Sequence, residues 1–138
     1  MMEESVRAVL LSDTDVAAIV SARIYPVVLP QNPTLPAVTY QRISLVSPVT
    51  LDAAIGPERI RLQVDCWALT WGAVRALASA VKTALHGFSG IVSGKQALNG
   101  VFLDSEADIF EPEVGPGGEG IYRVTSDYFV HIPMEAVA

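Results

Sequence analysis

Cysteine is almost absent from this sequence: Cys66 is the only one in 138 residues. An internal disulfide is excluded, as is any zinc site built on several thiolates. Charge is also scarce, at 17% of residues against about 25% in an average soluble domain. Cations are the scarcer sign. The nine lysines and arginines are scattered and the formal net charge is −6, whereas a nucleic-acid binder clusters its cations to displace counterions. No run approaches the ~20 apolar residues of a membrane helix. The opening MMEESVRAVLL carries acidic residues where a secretory signal is basic, so a soluble chain made in the cytoplasm is the expectation. Catalytic patterns are missing as well. Gly94-Lys95 lacks the glycine spacing and the following Ser/Thr of a phosphate loop. His86 and His131 have no sequence neighbour that suggests a triad, and structural roles are expected for both.

What is plentiful is apolar material, 51% of residues. One domain spanning 1–138 is expected, large enough to bury about 68–70% of its unfolded surface without disulfide or metal. The apolar content exceeds what one small core needs, and its expected use is a subunit interface.

The organising stretch is Arg59–Gly87. Ile60, Leu62, Val64 and Cys66 alternate with Arg59, Arg61, Gln63 and Asp65, the pattern of a strand with one packed and one polar face. Cys66 therefore reads as a small buried hydrophobe, since a nucleophilic thiol needs a basic, partly exposed setting. Beyond Thr70 the spacing changes. Trp71, Val74, Ala78, Val81 and Leu85 form one stripe of an amphipathic helix over about 70–86. Thr70 can cap its start, and His86-Gly87 ends it because glycine accepts the left-handed conformation. This helix is expected to fold back over Ile60, Leu62 and Val64. Trp67 and Trp71, just past the strand, read equally as core or as interface anchors.

Upstream, Glu3–Leu11 predicts a short helix and Ser12–Asp15 caps a second, with Val16, Ile19 and Val20 inward. Asp13-Thr14-Asp15 reads as a cap rather than a cation site. Pro26, Pro30, Pro33 and Pro36 make the next segment extended and stiff, a surface linker in preference to an interaction arm. Strands follow at Ala37–Ser44, Val101–Glu111 and Ile121–Ile132. With the central strand they give an α+β fold, a four-stranded, mainly antiparallel sheet with the long helix on one face. Between the first two strands lies Leu45–Glu58, apolar at Leu45, Val46, Val49, Leu51 and Ile55 yet broken by Pro48, Gly56 and Pro57. A long apolar loop of this kind is expected to fold against something outside its own subunit. Pro112–Gly120 reads as a hairpin tip with Glu111, Glu113 and Glu119 in or beside it.

Strict alternation puts Asp104, Glu106 and Asp108 on one strand face. Same-face neighbours stand about 6.5–7 Å apart, too far to close on one ion unaided. Ion pairs with Arg59, Arg61 and Arg123 on neighbouring strands are the preferred reading, whether exposed or between subunits. A metal- or ligand-binding domain on this face is the rival from a different class.

The order of RIYP at 23–26, LPAVTYQRIS, QVDCWA with its following helix, and the paired strands GVFLDSEADIFEPE and IYRVTSDYFV resembles the tail-completion (tail-terminator) proteins of long-tailed phages, prophages and gene-transfer particles. The resemblance covers nearly the whole chain. It implies a structural virion protein without cofactor, which assembles as a ring, typically a hexamer, at the head-proximal end of the tail tube. There it stops tube polymerisation and meets the head connector, so the implied partners are further copies, the tube protein and the connector. Another neck component, a stopper or adaptor, is the nearest alternative. The expected contacts are Leu45, Val46, Val49, Leu51 and Ile55 of the loop, Trp67 and Trp71, the charged residues Arg59, Arg61, Arg123, Asp104, Glu106 and Asp108, and the acidic tip with Glu113 and Glu119. An acidic balance suits a channel that passes DNA without holding it.

Overall fold

A computed structural model describes residues 2–46, 58–92, 94–112 and 120–133. The expected contacts Val49, Leu51, Ile55, Glu113 and Glu119 lie outside these residues, as do most of the apolar loop, the hairpin tip and the last five residues.

Helices α1 (Met2–Ser12) and α2 (Thr14–Val20) come first, followed by strands β1 (Ile24–Pro26), β2 (Ala37–Val46) and β3 (Glu58–Ala68). The long helix α3 (Trp71–Leu85) and strands β4 (Gly100–Glu111) and β5 (Ile121–Ile132) complete the order. The sheet runs β1-β2-β3-β5-β4, antiparallel except for the parallel pair β1-β2. Among the described residues it has five strands, not the four expected. The additional strand, β1, is three residues long, too short for alternation to show. Its ladder is nonetheless real: Val38 N–H donates to Arg23 O at 3.0 Å and Val27 N–H to Tyr40 O at 2.8 Å.

The helices start where their caps dictate. Asp13 accepts from Val16 N–H, and Thr70 from Ala73 N–H. Helix α3 ends at Gly87, whose φ of 84° is the left-handed release. The three described helices all pack on one face of the sheet. Met2, Val6, Leu10, Val16 and Val20 join Val74, Leu77, Val81 and Leu85 over Ile60, Leu62, Val64, Cys66, Val124, Tyr128 and Val130, all buried in one cluster. One expected stripe member is misplaced. Trp71 is 57% exposed, and Leu77 sits in the core instead, because the first turn of α3 overhangs the sheet beside β4.

Two register shifts decide which way side chains point. In β2 the shift falls between Arg42 and Ser44, leaving Ile43 as the extra residue. In β4 it falls between Leu103 and Ser105, leaving Asp104 as the extra one. A bulge of one residue reverses the alternation beyond it. Consequently Asp104 does not share a face with Glu106 and Asp108, which corrects the alternation read from the sequence.

Candidate assembly surface

The sheet face opposite the helices carries Arg59, Arg61, Gln63, Asp65 and Trp67 of β3, and among the described residues no element packs on it. Its neighbours on β5 are Arg123, Thr125, Asp127, Phe129 and His131. Arg61 pairs with Asp104 at 3.0 Å and with Asp127 at 3.4 Å. Arg59 and Arg61 lie over the Phe129 ring, 4.6 and 5.5 Å from its centre. Arg123 reaches Glu111 at 3.2 Å and lies 5.0 Å from the Trp67 ring centre. Trp67 is half-buried and donates its indole N–H to Thr39 Oγ1 at 3.0 Å. The expected ion-pair face thus exists for Arg61, Arg123 and Asp104, while Arg59 binds an aromatic ring.

Glu106 and Asp108 turn to the helix side. There Arg75 of α3 holds both, at 2.7 Å from Glu106 and 3.0 Å from Asp108, and the Trp71 indole donates to Asp108 at 3.1 Å. The hydrogen bond to Glu106, foremost, raises the Arg75 pKa further. Arg75 is not among the residues that the sequence patterns single out. The signal that could have found it is its spacing: Trp71 and Arg75 are four apart and share one side of the helix. The three carboxylates are therefore divided between two cations on opposite faces, an arrangement for pinning β4 rather than for gathering an ion.

Cys66 is buried on the helix face, and burial pushes its thiol pKa up, so it stays protonated and unreactive. His86 accepts the Leu103 N–H on Nδ1 at 3.0 Å, tying the end of α3 to β4. His131 packs edge-on against Phe102, ring centres 5.9 Å apart. A cleft of about 540 Å³ lies between Glu3 and Glu4 of α1, Pro26 and Val27, and Tyr40, Gln41 and Arg42. An ion pair of 2.6 Å between Arg42 and Glu3 lies on its wall.

Among the described residues, most exposed large apolar side chains lie at the two ends of the strand order, while Leu69 and Ile91 are exposed in the segments flanking α3. Val27, Val28, Ile43 and Leu45 stand at the β1–β2 edge, and Phe102 and Phe110 on β4, with Trp71 close by. Leu45, an expected contact, is 39% exposed. Val46 pairs in register with Arg59. Phe102, Phe110, Ile43 and Val27 do not stand out in the sequence, because each occupies a position that uninterrupted periodicity assigns no special role.

Comparison with known proteins assigns the family. The profile of "Tail completion protein gp17" matches residues 4–130. Among solved structures, a chain from the virion of a native gene transfer agent particle shares the fold, with a TM-score of 0.73 at 17% identity. The match covers 95% of this chain and 93% of that one. No curated protein matches in sequence. With nearly its full length matched, the chain belongs to the gp17 tail completion family, structural proteins of the phage tail and virion.

Proposed function

We propose that the chain assembles as a ring, probed first as a hexamer, on the head-proximal end of the tail tube. There it halts tube growth and presents a docking face to the head connector. Family membership supplies the tail role. The observation that supports the ring is the placement of exposed apolar side chains at two unlike edges of one sheet, Ile43 and Leu45 on β2 against Phe102 and Phe110 on β4. A closed ring requires a heterologous contact, in which two different surfaces of one chain fit each other. Termination then follows from geometry. One face of the ring matches the last tube layer, the other does not, and no further tube subunit finds a complementary surface.

The loop Leu45–Glu58 is assigned to the tube or to the adjacent subunit, and the acidic tip Glu111–Gly120 to the lumen or the connector. Deleting Val49–Ile55 is expected to leave a folded chain that no longer caps tails. Sedimentation and tail-joining assays read this, and a deletion variant that still forms rings and still complements contradicts the loop assignment. Co-purification separates the neighbouring reading: a stopper or adaptor follows portal-side proteins, a tail terminator follows tube protein. No catalytic role is proposed. Calorimetry with divalent cations checks the carboxylates of β4, and a stoichiometric heat would revive the metal-binding alternative.

A further inference from the structure

We propose that neighbouring copies join edge to edge, the open end of β2 in one copy pairing antiparallel with the open end of β4 in the next. This rests on the ring reading above and names its contact. Among the described residues, β4 at one end of the sheet and β2, which the three-residue β1 overlaps at the other, are each covered over only part of their length. At the start of β4, Gly87 N–H donates to Val101 O at 2.7 Å and Val101 N–H to Phe88 O at 3.1 Å. Leu103 N–H donates to His86 just beyond. From Ser105 to Glu111, no described residue outside β5 bonds to the β4 backbone. On the other side, β1 and Val27 cover β2 over Val38–Tyr40. From Gln41 to Val46 that edge is open among the described residues, and the cleft at Tyr40, Gln41 and Arg42 lies beside its beginning.

The open ends fit each other in direction and level. Three successive antiparallel pairings set β2 and β4 running in opposite directions, so a copy translated sideways brings them together antiparallel. Ser44 is level with Phe102 through Arg61 and Phe129, while Ala107 is level with Thr39 through Thr125 and Asp65. The open ends therefore sit at opposite ends of the sheet. Bringing Ala107 of one copy against Ser44 of the next requires a slide of four residues, counted on β5 from Phe129 to Thr125. That is about 14 Å along the strands for about 19 Å across four strand spacings. A slide of that proportion equals a strand tilt of about 35°, the tilt at which closed barrels absorb such a stagger. The chain of copies then closes on itself instead of climbing into a filament.

The slide sets Ser105–Ile109 against Val46–Gln41 and places Gly87-Phe88 beyond one end of that ladder, while Phe110 and Glu111 come level with Tyr40 and Thr39, where β1 and Val27 end the pairing. The seam also accounts for the exposed Ile43 and Leu45, and it brings the exposed Phe110 to its end.

Paired cysteines test the contact. Ser44→Cys is combined in turn with Ser105→Cys, Ala107→Cys or Ile109→Cys in the full chain, and each double variant is oxidised after assembly with tube protein. One pair is expected to give a covalent ladder from dimer up to the whole ring, reversed by reductant and absent from the single variants. Assembly of normal mass with no ladder from any pair overturns edge pairing and leaves the ring standing. Failure of the wild-type chain to assemble, free or on tubes, overturns both. Hydrogen exchange on the wild-type chain reads the same contact without substitution. Amides in 41–46 and 105–109 should slow at least tenfold on assembly, and unchanged exchange in either segment counts against the pairing.

Discussion

At the scale of residues, Cys66 makes the burial of the central strand measurable. It is 1% exposed, and burial foremost, then the charges of Asp65 and Glu106, push its thiol well above the ordinary range, with Arg75 pulling the other way. In the unfolded chain the thiol releases its proton near pH 8.5, roughly the unperturbed value. The folded value is the higher one, so this contribution to stability is complete below about pH 8.5. It is lost above that at about 1.4 kcal/mol per pH unit. Between pH 8 and pH 10 the wild type should lose about 2 kcal/mol more than Cys66→Ala in urea titrations. Parallel losses in the two proteins would mean the thiol is not buried as described. The alternation of Ile60, Leu62, Val64 and Cys66 makes this position legible in the sequence alone, because a strand packed on one face has period two. Trp71 is not legible in the same way. A tryptophan at stripe spacing is indistinguishable from core in sequence, and only the overhang of the first turn of α3 exposes it.

Among elements, legibility follows length and regularity. Strand β5 spans Ile121–Ile132 as its alternation predicts, and α3 begins one residue past its Thr70 cap. Strand β1 escapes because three residues carry no period. The bulges escape for a different reason: an extra residue leaves composition unchanged yet reverses every side chain beyond it. One inserted residue at Asp104 is why a line of three carboxylates in sequence is split between opposite faces, Asp104 pairing with Arg61 and both Glu106 and Asp108 with Arg75. The return from β4 to β5 depends on Gly120. Its φ is 91°, and a Cβ placed there would stand 2.6 Å from the Phe110 ring. Gly120→Ala is expected to cost at least about 1 kcal/mol, read as a lower urea midpoint. Adding Phe110→Ala should restore part of the loss by removing the clash, though the backbone strain stays. An alanine variant as stable as wild type would refute the tight approach of β4 to the turn.

At the scale of the whole molecule, the three described helices occupy one sheet face, and the opposite face, on which no described element packs, carries arginines on aromatic rings. The excess of apolar residues in the sequence raises the expectation of contacts between copies, but it cannot place them. Edges arise from strand order, and order is set by pairings far apart in the chain, such as β3 with β5. The ring account is tested most directly by electron microscopy of tubes grown from purified tube protein with and without this chain. The account predicts tubes closed at one end by a ring of this protein, with elongation stopped at that end. Tubes that lengthen unchanged from both ends, with no ring bound at either, would contradict it.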